Sequence, residues 1–87
     1  MSPAQSESLD ELIVRMDERA ALTQIRARLE AGEDPAALVE ECNAGMKRVG
    51  RLYEEGTFYI SALIMAGEII REAAELLVPR LEAARSE

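Results

Sequence analysis

The 87-residue sequence contains no histidine and no tryptophan, a single cysteine, two tyrosines and one phenylalanine. Without histidine, most zinc sites, Ser-His or Cys-His nucleophile pairs and the Glu-x-x-His ligands of di-iron bundles are excluded. Because Cys42 is alone, an intramolecular disulfide is excluded and a reducing, cytoplasmic setting is expected. Cys42 lies on an apolar stripe, which predicts a small buried hydrophobe rather than a reactive thiol.

Basic residues are also few, since ten Lys and Arg stand against seventeen Asp and Glu and leave a net charge of −7. An acidic surface repels phosphate backbones and anionic lipids, so nucleic acid and membranes are not expected as partners. From the sequence we expect neither a secretory leader nor a segment that spans a bilayer. The residues that are abundant, Ala, Glu, Leu and Arg, favour helices.

Capping residues mark the helix boundaries. Ser8 followed by Glu11 predicts a capping box at the start of the first helix. The apolar residues before and after Asp17 are roughly 240° out of phase on one straight helix, so a break is expected there. Asp17 then caps the second helix, and Gly32 ends it.

Asp34-Pro35 predicts the start of the third helix, because proline at the first helical position loses no hydrogen bond. Gly56 follows its end. The sequence therefore predicts an all-α four-helix bundle with helices over residues 8–16, 17–31, 35–55 and 59–84. Residues 1–7 are expected to be a flexible lead, residues 8–84 the helical domain and residues 85–87 its C-terminal end.

The last predicted helix carries two apolar stripes. The first keeps a 3–4 spacing over three heptads, and the second runs beside it: Ile60, Leu63, Gly67, Ile70, Ala74, Leu77 and Leu81, then Ala62, Ala66, Ile69, Ala73 and Leu76. Two stripes predict burial against more than one neighbour. Gly45, Gly50 and Gly67 are predicted to be helix–helix contact points. The carboxylates of Glu68, Glu72 and Glu75 share one helix face, and we expect a solvated face there rather than a metal site.

A longer motif spans the end of the second helix and the start of the fourth. It reads Gly32-Glu33-Asp34-Pro35, then Gly45-Met46-x-x-Val49-Gly50-x-Leu52-Tyr53-x-x-Gly56-x-x-Tyr59-Ile60. This motif closely resembles the helical cap domain of cobalamin-binding methyltransferases, which occurs in cobalamin-dependent methionine synthase and in the corrinoid proteins of methylotrophic methyltransferase systems. The resemblance covers roughly residues 17–81.

The resemblance implies that the bundle covers the upper face of a corrin ring held by a Rossmann-like domain. It also implies that the bundle shields the methyl–cobalt bond until a methyltransferase subunit displaces it. The positions that face the cobalt ligand correspond to Tyr53, Ile60 and Leu63, with Tyr59 beside them. Apolar side chains suit this role, because a cobalt-bound methyl group requires a dry pocket. A cobalamin-associated cap module in one-carbon transfer, without catalytic residues of its own, is therefore expected.

The sequence departs from the family pattern in two places. Many relatives have Pro and then Glu or Gln after the pair matching Tyr59-Ile60, whereas this chain has Ser61-Ala62. The Asp-x-His-x-x-Gly motif, whose histidine ligates cobalt from below in the corrin-binding domain, does not occur in the 87 residues. Three interpretations stay open: a free-standing cap acting with another chain, a fragment whose linker begins near residue 85, and a bundle recruited for another purpose.

The competing hypothesis is a non-catalytic, homodimerising helical module that has lost cofactor binding. In that case Tyr53, Ile60 and Leu63 are simply core or rim residues. With no covering domain, five apolar residues at this end are expected to lie exposed side by side: Tyr53, Phe58, Tyr59, Ile60 and Leu63. Such a patch predicts self-association, most simply as a two-fold dimer.

Overall fold

The computed structural model describes residues 7–86, and these form four α-helices and no strand. The helices are α1 (Leu9–Val14), α2 (Glu18–Glu30), α3 (Pro35–Glu54) and α4 (Ile60–Ser86). The predicted all-α class and number of helices are confirmed, and each boundary falls within two residues of its predicted position. The predicted flexible lead lies, except for Glu7, outside the described residues.

The predicted capping residues begin the first three helices. The side chain of Asp17 accepts a hydrogen bond from the Ala20 N–H at 3.2 Å, and Asp34 accepts one from Ala36 at 3.0 Å. Ser8 accepts from the Glu11 N–H at 3.4 Å. The carboxylate of Glu11 accepts from Arg48 on α3 at 3.2 Å, so it ties α1 to α3 rather than completing a capping box.

The break between α1 and α2 is confirmed, and it is made by an unusual residue. The Met16 N–H donates to Ile13 at 3.0 Å and the Asp17 N–H donates to Leu12 at 3.0 Å, which is a Schellman motif. Met16 occupies the left-handed position of this motif with φ 61°, a conformation that costs a non-glycine residue energy. Gly32 and Gly56 hold the corresponding positions after α2 and α3.

The short helix α1 lies at the centre of the packing, against α2, α3 and α4. Three of its four apolar residues are buried, and Val14 is partly buried. The buried core is contributed by all four helices: Leu9, Leu12, Ile13, Ala21, Ile25, Leu29, Leu38, Cys42, Val49, Ala66, Ile69, Ala73 and Leu77. Burial raises the pKa of the Cys42 thiol to about 11, so this group is protonated at neutral pH. Cys42 is therefore the small buried hydrophobe that its position predicted.

Only one of the three predicted glycine contact points is confirmed. A Cβ at Gly45 would lie 3.0 Å from the Ile13 Cβ and 3.1 Å from the Asp10 Cα, so α1 and α3 touch at this residue. The predictions for Gly50 and Gly67 are wrong, because a Cβ built at either position meets no atom within 4 Å. Both lie on sides of their helices that face no neighbouring element.

The two apolar stripes of α4 are not equally buried. The second stripe faces the core, with Ala66, Ile69 and Ala73 buried. The heptad stripe lies at the border of the core, where Leu77 is buried but Ile60 and Gly67 are exposed. The prediction that both stripes are covered by neighbours is therefore wrong at Ile60 and Gly67, whereas Leu63 between them packs against the core.

An ion-pair cluster joins α2 to α3. Two nitrogens of Arg28 donate to the two carboxylate oxygens of Glu41 at 2.9 and 2.6 Å, and its Nε donates to Glu33 at 3.0 Å. The guanidinium of Arg28 is the main cause that holds the pKa of Glu41 below its ordinary value of 4.5. The ionised Glu41 carboxylate therefore stabilises the folded state fully above pH 4.5, its ordinary pKa. This stabilisation is lost as the pH falls through the lowered pKa of Glu41.

We expect Arg28→Met to lower the free energy of unfolding by about 1 kcal/mol at neutral pH, because a partly buried charged hydrogen-bond pair is removed. The difference from the unmodified chain should shrink at an acidic pH well below 4.5, because Glu41 becomes protonated as the pH falls through its lowered pKa. Urea unfolding at the two pH values measures this. Arg71→Met is the matched control, since Arg71 pairs with Glu68 and Glu75 on the exposed face of a single helix. If both variants lose the same free energy of unfolding at both pH values, the Arg28–Glu41 pair does not stabilise the fold as described.

Candidate functional site

The turn between α3 and α4 is closed by backbone hydrogen bonds. Gly56, at φ 84°, donates to Tyr53, and the N–H groups of Thr57 and Phe58 both donate to the Leu52 carbonyl, at 2.9 and 3.1 Å. At the other side of the turn, the Ala62 N–H donates to Tyr59 at 2.9 Å. The end of α3 and the start of α4 are therefore held close together by a short, fixed connection.

The predicted site residues at this end are apolar and largely uncovered. Tyr53 is 41% exposed, Tyr59 80% and Ile60 56%, while Leu63 is half-buried and packs against the core. We call these four residues the end patch. Since large apolar side chains this exposed are uncommon when grouped together, the patch has the properties of a contact surface rather than of a core. The interpretation of Tyr53 and Ile60 as core residues is thereby excluded.

Phe58 differs from the expectation that all three aromatic residues lie uncovered. Its side chain is half-buried and packs against the core from the middle of the turn. Phe58 therefore anchors the turn between α3 and α4 to the core. The next two residues, Tyr59 and Ile60, are exposed. The residue pattern gave no means of separating these roles, because Phe58, Tyr59 and Ile60 are consecutive and all apolar or aromatic.

Sequence reasoning did not single out Ile64, which is 69% exposed one turn after Ile60. The signal was available, because residues four apart lie on the same helix face and Ile64 extends the exposed side of Ile60. Met65, 53% exposed, follows it on a different side of the helix. The apolar surface therefore continues from the end patch along α4.

Charged residues border the patch on α3. A hollow of about 180 Å³ beside the last turns of α3 is lined by Arg48, Arg51, Leu52 and Glu55. Arg48 is already paired with Asp10 at 3.0 Å and with Glu11.

Among residues 7–86, no group of three or more Cys, Asp or Glu side chains is arranged to hold a metal ion. Within the same range, none of the helices combines the length and the apolarity needed to cross a membrane.

Comparison with known proteins defines the family. The family model described as the B12 binding domain matches residues 5–77, which is most of the chain. The chain belongs to the B12 binding domain family. The resemblance to the helical cap domain of corrinoid proteins is thereby confirmed, and the four-helix bundle is the fold of that domain.

Curated proteins similar to this chain include trimethylamine corrinoid proteins. Trimethylamine corrinoid protein 1 of Methanosarcina acetivorans is 33% identical over 76 residues, which are 86% of this chain and 35% of the relative. Trimethylamine corrinoid protein 2 of the same organism is 34% identical over 71 residues, and these cover 80% of this chain and 33% of the relative. The chain thus spans about a third of these relatives. No solved structure matches it significantly.

Proposed function

We propose that this member of the B12 binding domain family is a helical cap that covers the upper face of a corrinoid held by a Rossmann-like domain. That domain belongs to another chain or to a further segment of this protein. One observation carries the proposal: Tyr53 and Ile60, which match the cap positions of the family motif, are both exposed at the same end of the bundle. An apolar surface in this place would suit a cobalt-bound methyl group, which requires a dry pocket.

The proposed roles of the end patch follow from its chemistry. Tyr53 and Ile60 provide van der Waals cover for the ligand above the ring, and Leu63 continues that cover into the core. Tyr59, the most exposed of the four, would extend this cover. When bound, the corrinoid supplies a methyl group on cobalt for transfer. The patch excludes water and oxidants from that position until a methyltransferase subunit replaces the cap.

The patch provides cover on one side only. The four residues bear no imidazole, thiolate or carboxylate, and the sequence contains no histidine that could act as a lower cobalt ligand. In this proposal the lower ligand and the binding cleft therefore belong to the Rossmann-like domain. The relatives whose names state that they are corrinoid proteins are about three times as long as the matched segment, which leaves room in them for such a domain.

The test is protection of methylcobalamin. The chain is mixed with a trimethylamine corrinoid protein from which the segment matching this chain has been deleted, loaded with methylcobalamin. We expect the chain to slow the light-driven loss of the methylcobalamin absorption spectrum several-fold, because a close cover favours recombination of the separated methyl group and cobalt. Tyr53→Ala and Ile60→Ala should each reduce this protection.

Met65→Ala is the matched control, since Met65 is as exposed as Ile60 but lies on another side of α4. It should protect as well as the unmodified chain. Calorimetric titration of the chain alone with free methylcobalamin should show no sub-micromolar binding, because one apolar face supplies little of the surface that a tight site buries. The proposal fails if the unmodified chain gives no protection, or if Met65→Ala weakens protection as much as Ile60→Ala.

A further inference from the structure

The start of α4, within the described residues 7–86, has no polar side-chain cap like those of the other helices. Ser8, Asp17 and Asp34 accept hydrogen bonds from N–H groups in the first turns of α1, α2 and α3. The residue before α4 is Tyr59, whose hydroxyl is separated from the backbone by the ring, so it cannot act as these short side chains do. The direction in which the chain enters α4 is therefore fixed in another way.

Two apolar residues occupy the positions of a hydrophobic staple around this start. In a hydrophobic staple, the residue before the capping position packs against the fourth residue of the helix and fixes the angle at which the chain enters. With Tyr59 at the capping position and α4 beginning at Ile60, these positions are Phe58 and Leu63. Both side chains are half-buried and pack against the core. They therefore lie on the inward side of the first turn of α4, where they can contact each other.

Phe58 alone joins the connection between α3 and α4 to the core. The structure describes all of residues 55–59, and the other four are exposed. On the α3 side, the N–H groups of Thr57 and Phe58 donate to the Leu52 carbonyl at 2.9 and 3.1 Å. On the α4 side, the Tyr59 carbonyl accepts from the Ala62 N–H at 2.9 Å. Phe58 therefore lies where the two hydrogen-bonded parts of the connection meet.

We propose that Phe58 and Leu63 form a hydrophobic staple that holds Tyr59 and Ile60 at the surface, which makes Phe58 a positioning residue of the cap. Tyr59 and Ile60 are 80% and 56% exposed, so packing of their own side chains does little to fix where they lie. The residues on either side of them in the sequence, Phe58 and Leu63, are the ones that pack inward. The positioning role rests on the proposed function, because a cover works only if its residues stay in one place.

Hydrogen exchange of single amides, measured by NMR where circular dichroism shows each variant folded, tests the staple in this chain by itself. Phe58→Ala should raise the exchange rate of the Ala62 N–H more than about tenfold, because the first turn of α4 opens more often without this packing. Phe58→Leu keeps an apolar side chain and should stay within about threefold of the unmodified chain. Leu76→Ala is the matched control, since Leu76 is also half-buried against the core but lies in the second half of α4. It should leave the exchange rate of Ala62 unchanged.

A double-mutant cycle identifies Leu63 as the partner of Phe58. Leu63→Ala should also raise the exchange rate of the Ala62 N–H. When Phe58→Ala and Leu63→Ala are combined, the rate should rise by less than the product of the two single factors, because each substitution removes the same contact. When Phe58→Ala is combined with Leu76→Ala, the two factors should multiply, since these residues lie far apart on α4.

Protection of methylcobalamin, measured as for the proposed function, tests the positioning role. Phe58→Ala should lose most of the protection although Tyr53 and Ile60 are both present, whereas Phe58→Leu and Leu76→Ala should protect like the unmodified chain.

The two parts of the proposal fail in different ways. The staple is overturned if Phe58→Ala leaves the exchange of the Ala62 N–H unchanged, if Leu76→Ala raises it equally, or if the effects of Phe58→Ala and Leu63→Ala multiply. The positioning role is overturned if exchange rises in Phe58→Ala while protection is undiminished. An unmodified chain that gives no protection overturns the cap function and the positioning role with it, and the exchange rates then still decide whether the staple exists.

Discussion

Gly45→Ala is expected to lower the free energy of unfolding by about 1–3 kcal/mol, whereas Gly50→Ala, on the same helix, should raise it by about 0.5–1 kcal/mol. The added methyl group at Gly45 would lie 3.0 Å from the Ile13 Cβ and 3.2 Å from the Asp10 carbonyl oxygen. None of these atoms moves without the backbone of α1. At Gly50 the methyl group meets nothing within 4 Å, so only the better helix propensity of alanine remains.

Urea unfolding followed by circular dichroism measures both changes under the same conditions. Gly67→Ala on α4 is a second control, because its added Cβ is equally free of contacts. It should behave like Gly50→Ala. If Gly45→Ala leaves the unfolding midpoint unchanged or raises it, then α1 does not pack on α3 as closely as described, and the position of the central helix has to be revised.

Ala66→Glu is expected to unfold the protein, while Gly67→Glu, at the next residue, should leave it folded. Ala66 has no exposed surface and belongs to the stripe of α4 that faces the core. A glutamate there overfills the core and buries an unpaired charge, at a cost of more than about 4 kcal/mol, which is most of the stability of a small domain. Gly67 is exposed, and glutamate favours the helix more than glycine does.

The helical circular dichroism signal at room temperature distinguishes the two variants, and the thermal midpoint ranks them against the unmodified chain. The comparison is sharp because both substitutions add a glutamate at consecutive positions of one helix. Two folded variants would mean that the core-facing side of α4 is assigned wrongly. Loss of helix in Gly67→Glu alone would mean that the heptad stripe, and not the second stripe, is the core face.

Helix boundaries were predictable because they are set locally. Asp17 and Asp34 accept from backbone N–H groups of the first turns that follow them, and Gly32 and Gly56 supply the left-handed residue after a helix. Met16 performs the same function as these glycines at φ 61°, and no local preference indicates it. Only the change of phase in the apolar pattern revealed the break at that position.

The choice between the two stripes of α4 was not predictable in the same way. Both stripes are apolar at helical spacing, so periodicity predicts burial for each. The structure buries the stripe that contains Ala66 because α1, α2 and α3 converge on that side of α4. The same limit explains Gly50 and Gly67, since a glycine in a helix has no feature that shows whether a neighbouring helix approaches it.

The end patch was predictable mainly through the family motif. Spacing alone favoured a core role for Ile60 and Leu63, whereas the motif assigned Tyr53, Ile60 and Leu63 to a covering surface. Tyr53 and Ile60 are exposed, and their role as a covering surface stays a prediction. Neither the spacing nor the motif predicted the positions of Phe58 and Ile64. Phe58 packs against the core from the turn between α3 and α4, and Ile64 extends the exposed side of α4.

The length of α4 sets the distance between the end patch and the C-terminal end of the helix. The helix continues through Pro79 to Ser86, and its two ends are about 39 Å apart at 1.5 Å per residue. The end patch lies at the N-terminal end of α4, around Ile60. A domain joined after the last residue would therefore need to extend back along the flank of the bundle to reach the patch. A linker alone would need at least about 11 extended residues to span that distance. Shortening such a tether would then separate the cap from its target without altering a single contact residue.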